Sequence, residues 1–391
     1  MKEKPIERFA RFIKDVIYDT RTDGKLVQVV ARILYYFSFV FRAIVELRFW
    51  LYQKRIMQDT PLGCRVIVVG NLTMGGTGKT PVVEKMARVM ASHGRKVAIL
   101  SRGYKSKKEP FYKKWIRFIT QAPRPLPRVV SDGNAVLLPA SIAGDEPYML
   151  ARNLVKYGVR VVVDRDRVYA GMYAIKNLGA DIIILDDGLQ YLPLKGSLNL
   201  LLVDKTNPFG NHCVIPRGIL REPVSHLWRG DFIFLTKSDG KPAPELYQLI
   251  RQYNQKAEII ECRHAPKWLC PVFERDGNAN LPLETLKDAR VATFSGIATP
   301  DKFEEFVRQY GASIVYNRRF FDHYNFTRKD IDAVFAGAVA AGAKFVVTTE
   351  KDMVRLARDL VLPLPLYFLR LEIEILSDKE TFDAAVERIC N

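Results

Sequence analysis

RVIVVGNLTMGGTGKTP, residues 65–81, is the stretch on which the fold turns. RVIVVG reads as a buried strand, because it has no alternation and a run of β-branched residues. A glycine-rich turn follows, and then a helix from Pro81. Glycines at 75, 76 and 78 let the backbone curl so that its N–H groups face a polyphosphate, at the positive end of the helix that follows. Lys79 can then reach the β- and γ-phosphates, and Thr80 can ligate Mg²⁺. The phosphate-binding candidates are therefore Thr73, Met74, Gly75, Gly76, Thr77, Gly78, Lys79 and Thr80. The strict GxxxxGK[ST] pattern asks for glycine at 73, where this chain has Thr73.

Short Val/Ile/Leu runs continue outward from this stretch: KVAIL (96–100), VRVVV (159–163), DIIIL (181–185), LNLLLV (198–203) and DFIFL (231–235). Helical stretches separate them, which predicts a parallel sheet covered on both faces. A second series, EIIEC (258–262), RVATF (290–294), AKFVVTT (343–349) and LPLYFL (364–369), follows the loop-rich 205–229 and predicts a smaller α/β domain. The fold class expected is α/β: a P-loop NTPase-type parallel sheet domain, a second smaller α/β domain and an N-terminal amphipathic membrane helix. The expected divisions are 1–60 for the N-terminal region, 61–225 for the kinase-like core and 226–391 for the second domain. Carboxylates that partner a phosphate loop belong at the end of a neighbouring strand. DIIILDDGLQ (181–190) supplies Asp186 and Asp187, either of which can hold a hydrated Mg²⁺.

The whole chain has 391 residues, room for two domains. Its 48% apolar and 26% charged residues provide for a core and exclude wholesale disorder. Sixty basic against 43 acidic residues, a net +17, point to an anionic partner: nucleic acid, a phospholipid surface or phosphorylated small molecules. Five cysteines without a CxxC pair support neither a disulfide framework nor a metal cage, and a reducing compartment fits them. The opening MKEKPIERFARFIKDVIYD has charges where a signal peptide needs an apolar run, so a cytosolic or membrane-face location is expected.

Residues 25–53 are the most apolar stretch, yet their longest uncharged run, Ile33 to Phe41, is nine residues. A spanning helix needs roughly 20. On a helical projection Lys25, Gln28, Arg32, Arg42, Glu46 and Gln53 share one narrow arc, and aromatic and aliphatic residues fill nearly all the rest. Such a helix suits a lipid interface; a helix packed on its own domain or a true span are the alternatives. Segment 104–128 has eight basic residues and one acid, and reads as a long surface loop that is either simply solvated or docked on anionic lipid. No recognition helix or zinc module accompanies it, so no nucleic-acid partner is expected.

Two further polar clusters fall in loops. Gly144-Asp145-Glu146-Pro147 precedes an apolar helix, where Asp145 is either a cap or a reactive carboxylate. His323, between Asp322 and Tyr324, is the histidine whose neighbours suggest chemistry: a carboxylate with an imidazole can take a proton from an acceptor hydroxyl. Whether Asp145 and His323 meet is not fixed by their positions in the chain.

Taken together, the blocks VIVVGNLTMGGTGKTPVV (66–83), SRGY (101–104), VSDG (130–133), AGDEPYMLA (143–151), ILDDGLQ (184–190), PRGILREP (216–223), FSGIATPDKF (294–303), FFDHYNFT (320–327) and TTEKDMVRL (348–356) resemble the tetraacyldisaccharide 4'-kinase family, in the family's order. The resemblance implies transfer of the γ-phosphate of ATP to the 4'-hydroxyl of an acylated disaccharide 1-phosphate, giving lipid IVA, with Mg²⁺. It also implies a location on the cytoplasmic face of the bacterial inner membrane, against an anionic membrane surface, with no obligatory protein partner. By the same resemblance Asp145 acts as base, paired with His323, and Lys79 lies on the phosphates. Glu146, Asp186, Asp187 and Gln190 are Mg²⁺ or nucleotide-site residues, with Thr80 a metal ligand, and Arg221 is a phosphate contact. The family usually has histidine after DDG-[FL]-Q, where this chain has Tyr191.

Three other readings compete. Leu235-Thr-Lys-Ser-Asp239 resembles the [NT]KxD loop of a GTPase. A partition-type ATPase would need a lysine where Met74 stands. A nucleotide-switched membrane adaptor would have no need of both the GDEP and the DHY blocks.

Overall fold

The computed structural model describes residues 5–21, 23–103, 115, 119–120, 123–273, 280–357, 360–377, 382 and 386–387. Most of the basic stretch 104–128 lies outside them. The strands are β1 (Arg65–Asn71), β2 (Val97–Ser101), β3 (Arg128–Asp132), β4 (Arg160–Val163), β5 (Ile182–Asp186), β6 (Leu198–Asp204), β7 (Phe232–Thr236), β8 (Glu258–Pro271), β9 (Leu281–Pro282), β10 (Arg290–Ser295), β11 (Ser313–Arg319), β12 (Phe345–Thr349) and β13 (Leu366–Ile375). The chain forms two compact units, each drawn from separate stretches. One comprises Met1–Arg102, Asp164–Arg263 and Glu374–Asn391; the other comprises Gly103–Val163 and His264–Ile373. This division is discontinuous, whereas the sequence reading drew contiguous domains with a boundary at 225. The cause is strand pairing: β7 and the first half of β8 extend the parallel ladder from β6.

In the first unit the parallel order is β8-β7-β6-β1-β5-β2. β1 has a partner on each side and helices over its faces, so every residue from Val66 to Asn71 is buried. That is why its sequence shows no alternation. The helix Lys79–Ser92 buries Val82, Val83, Met86, Ala87 and Met90, a 3.6-residue stripe. Each large apolar side chain so buried contributes about 1.5–3 kcal/mol. The register sets Val69 of β1 opposite Asp186 of β5, so the phosphate turn and the acidic turn leave adjacent strands at the same end.

The helix Lys25–Gln53 belongs to this unit. Val27 and Ser38 are buried, and Val30, Ala31, Leu34, Phe41, Val45 and Phe49 are half-buried along one stripe. The Ser38 hydroxyl pins the stripe, donating to Val214 O at 2.7 Å and accepting from Arg217 N at 2.8 Å. Leu26, Val29, Ile33, Tyr36, Phe37, Val40, Ile44 and Leu47 are exposed. One stripe of the helix therefore packs on its own unit, and a wide apolar face is left exposed. Among the described residues this is one helix long and apolar enough to cross a membrane, by length and composition alone.

In the second unit β11, β10, β12 and β13 run parallel in that order, and β9 pairs antiparallel with β8. Alternate residues feed two cores. Ala292, Phe294, Val346 and Phe368 meet Ile331, Val334, Phe335 and Ala338 of the helix Arg328–Ala340. Val291, Phe345, Val347 and Leu369 meet Phe303 and Val307 of the helix Pro300–Gln309. β3 and β4 form an antiparallel pair that carries the helix Asp145–Leu154.

Candidate active site

In the first unit, the turn after β1 is held from both sides. Arg221 N donates to Leu72 O, and Met74 N donates to Ile219 O, each at 2.6 Å. Thr73, standing where the strict motif has glycine, is buried and bridged to Leu220; its hydroxyl accepts from Asn71 Nδ2 at 3.0 Å. Because the Met74 amide is committed to Ile219, the amides open to phosphate begin at Gly75. The N–H groups of Gly75, Gly76 and Gly78 meet no protein acceptor among the described residues. Gly78 caps the helix at φ 81°, a left-handed conformation that glycine adopts without strain. The Thr77 hydroxyl is buried and has no partner among the described residues, an open polar atom inside the turn. These features fit a polyphosphate.

Lys79 Nζ lies 3.0 Å from Asn71 Oδ1 and 3.3 Å from Asp187 Oδ1. Arg221 Nη1 reaches both Asp187 oxygens at 3.0 Å and Gln190 Oε1 at 3.2 Å. Gln190 in turn donates to Asn71 O at 3.1 Å and to Glu222 Oε1 at 3.0 Å. Burial pushes the Asp187 carboxyl up, but Lys79 and Arg221 outweigh it and hold it below the ordinary aspartate value. Asp186, buried at the end of β5, faces the Ser101 hydroxyl at 3.5 Å. Gly70 allows the acidic turn to come this close: a Cβ there would stand 2.6 Å from Leu189 Cβ. Thr80, Asp186 and Asp187 suit Mg²⁺, which takes one or two carboxylates and completes its shell with substrate phosphates and water. Among the described residues no group of three or more His, Cys, Asp or Glu forms a self-sufficient metal cage.

Glu222 links this cluster to its support. Its carboxylate accepts from Arg229 Nη1 at 2.6 Å and faces His226 Nδ1 at 2.7 Å, while His226 Nε2 lies 3.3 Å from Glu46 on the Lys25–Gln53 helix. Burial pushes the Glu222 carboxyl up, but the His226 hydrogen bond and the Arg229 charge hold it below the ordinary glutamate value. A carboxylate lowered in the folded state stabilises the fold above its unfolded pKa, and that contribution is lost as pH falls through the folded one. The stability advantage of the parent over Glu222→Gln is therefore expected to be complete at neutral pH and to shrink below about pH 4.5. Thermal midpoints of both proteins across the acid range check this; a gap that stays constant in acid contradicts it.

The second unit holds the other cluster. Asp145 opens the helix Asp145–Leu154 and makes no capping bond; Gly144, at φ 95°, is the cap residue. Asp145 Oδ2 instead accepts from Arg355 Nε at 2.8 Å and stands 3.4 Å from His323 Nδ1. The sequence left open whether these two meet, and the fold brings them together. His323 takes a left-handed φ of 61°, and its N–H is bonded to Gly296 O at 3.0 Å. Lys351 Nζ lies 3.3 Å from His323 Nε2 and 3.7 Å from Glu146 Oε1. Glu146 thus belongs to this unit with Lys351, whereas Asp186 and Asp187 belong to the other.

Lys351, Asp352 and Arg355 carry no role in the sequence reading, although they lie in TTEKDMVRL (348–356); a lysine, an acid and an arginine soon after the strand FVVTT were the available signal. Burial raises the Asp352 carboxyl above the ordinary value, against the lowering effect of Thr349, the Gly296 amide and Arg355. Asp239, the residue of the [NT]KxD-like loop, is taken up by Lys205 Nζ at 3.2 Å and by the Lys241 amide at 3.1 Å.

Comparison with known proteins gives a consistent result. Residues 30–391 match the family model described as Tetraacyldisaccharide-1-P 4'-kinase. The chain is 39% identical over 351 residues to the tetraacyldisaccharide 4'-kinase of Anaeromyxobacter dehalogenans strain 2CP-C, covering 88% of this chain and 87% of that one. It is 34% identical over 366 residues to the tetraacyldisaccharide 4'-kinase of Geobacter sulfurreducens, covering 94% and 95%. Among solved structures it resembles LpxK from Aquifex aeolicus, crystallised in complex with ATP, with a TM-score of 0.72, 27% identity, and coverage of 93% of this chain and 100% of that one.

Proposed function

This chain belongs to the Tetraacyldisaccharide-1-P 4'-kinase family, and from that premise we infer how its own residues carry the reaction. The protein is an ATP-dependent kinase that transfers the γ-phosphate of ATP to the 4'-hydroxyl of a tetraacyldisaccharide 1-phosphate, forming lipid IVA in lipid A biosynthesis. The acceptor oxygen bonds to the γ-phosphorus, the bond to the β–γ bridging oxygen breaks, and ADP leaves. The hydroxyl proton needs an acceptor.

We assign that proton to Asp145, whose carboxylate side chain is 23% exposed and close to His323. Lys79 and the amides from Gly75 onward bind the triphosphate, with Gln190 and Arg221 shaping the site beside it. Arg221 and Lys79 both lie on Asp187, so neither cation is left uncompensated before substrate binds. Thr80, Asp186 and Asp187 would hold Mg²⁺, which when bound neutralises charge on the phosphate oxygens. Little covalent chemistry is asked of the chain; positioning and electrostatics supply the rate.

The observation that carries this reading is the Lys79–Asn71–Asp187 contact at the mouth of the phosphate turn. It is tested by transfer of labelled γ-phosphate from ATP to a lipid A disaccharide precursor, with the de-acylated sugar as control. A folded protein that leaves the glycolipid unlabelled refutes it.

We further propose that the exposed apolar face of Lys25–Gln53 lies in the anionic cytoplasmic surface of the inner membrane. The ATP supply is on that side, and the arginines and lysine of the polar arc can reach headgroups there. Replacing Tyr36, Phe37 and Val40 by Glu keeps the Ser38 anchor and removes the apolar face. It is expected to lower partitioning onto anionic vesicles by about tenfold or more. Unchanged partitioning contradicts an interfacial role.

A further inference from the structure

The Asp145 carboxylate is used asymmetrically. Every contact it makes among the described residues is through Oδ2: Arg355 Nε at 2.8 Å and His323 Nδ1 at 3.4 Å. Oδ1 has no partner among the described residues. The guanidinium responsible is itself fixed. Arg355 Nη1 donates to Asp352 Oδ1 at 3.0 Å and to Gly296 O at 3.2 Å, and Nη2 lies 3.1 Å from His323 Nδ1. The Arg355 side chain is 5% exposed and that of Asp352 is 0% exposed. Asp352 is anchored in turn by the Gly296 amide at 3.0 Å and the Thr349 hydroxyl at 2.6 Å. One planar fork therefore joins the start of the Asp145–Leu154 helix, the loop after β10, the His323 loop and the turn after β12.

Arg355 and Lys351 place a cationic donor beside each His323 ring nitrogen. At Nδ1 the guanidinium of Arg355, at 3.1 Å, competes with Asp145 Oδ2, at 3.4 Å, for the ring. With Arg355 donating to Nδ1, that nitrogen has a lone pair and cannot also donate to Oδ2. The carboxylate and the imidazole are then joined through the guanidinium, not directly.

We propose that Arg355 is the positioning residue of the proton acceptor: it occupies Asp145 Oδ2, fixes the plane of the carboxylate, and reserves Oδ1 for the acceptor hydroxyl. The inference rests on the assignment of Asp145 as the proton acceptor. A lysine cannot replace this function, because a single ammonium does not present the in-plane fork that spans a carboxylate, an imidazole and a carbonyl. Misplacing a reacting group by about 1 Å costs about 10²-fold.

The test uses the full chain with ATP and a lipid A disaccharide precursor in mixed micelles. Arg355→Ala is expected to lower kcat about 10²-fold with KM for ATP unchanged, and added guanidinium is expected to restore kcat by about tenfold or more. Arg355→Lys should be folded and lose about tenfold or more in kcat; it carries the test if the alanine variant does not fold. Guanidinium should do nothing for Asp145→Asn. If the Arg355 variants stay within threefold of the parent, or if folded Arg355→Ala is not rescued, Arg355 is no positioning residue. Should Asp145→Asn itself retain full activity, the proton-acceptor assignment fails instead, so the two failures are told apart.

Discussion

Lys79→Ala is expected to lower turnover by about 10²–10³-fold while the protein stays folded, the loss typical of removing one preorganised donor from a site of developing charge. Lys79 follows directly on the turn whose amides are open, and its side chain is 14% exposed and held by Asn71 and Asp187. The substitution removes the ammonium without disturbing the strand or the helix, because the turn is fixed by main-chain bonds from Ile219 and Arg221. Asp187 retains Arg221 as its counter-charge, so the folded state is not left with a bare carboxylate. Labelled phosphate transfer, with thermal unfolding as the control, measures both halves of the expectation. A variant that turns over at the parent's rate removes the phosphate role from Lys79.

Asp145→Asn is expected to cost about 10²–10⁴-fold in kcat, the range for loss of a general base. The amide is isosteric and can still accept from Arg355 through its oxygen, so the helix start and the surrounding loops should keep their places. What it lacks is the ability to take the acceptor proton. KM for ATP should change little, because the residues proposed to bind the nucleotide belong to the other unit. Full activity in the folded Asn variant would leave the acceptor proton to another group and withdraw the role proposed for Asp145.

Of the two clusters, one was far more legible than the other. The cluster proposed for the nucleotide is local in the chain: a strand, a turn and a helix start within residues 65–81, and two acids directly after DIIIL. At Met74 the amide is committed to Ile219, a contact 145 positions away in the chain that does not announce itself locally. Strands β1, β5, β6, β7 and β12 were recognised because burial on both faces leaves an unbroken apolar run. β11 was not: Ser313–Arg319 is at the edge of its sheet, ends in the polar run Asn317-Arg318-Arg319 and stays partly exposed. β3, a short antiparallel strand that begins at the last residue of the basic stretch, carries no long apolar run either.

The sequence by itself determined the parallel α/β class, the phosphate turn, the acidic strand end and the amphipathic nature of residues 25–53. Each of these is set by periodicity or by side chains within a few positions of one another. Tertiary structure alone decided that Asp145 meets His323, from 178 positions away, and that Arg355 stands between them. It also decided that one stripe of the apolar helix is spent on Ser38 and its neighbours. Such contacts depend on which strand ends and loops converge in space, and the direction of a guanidinium is fixed by partners from four separate segments, so no local pattern encodes it.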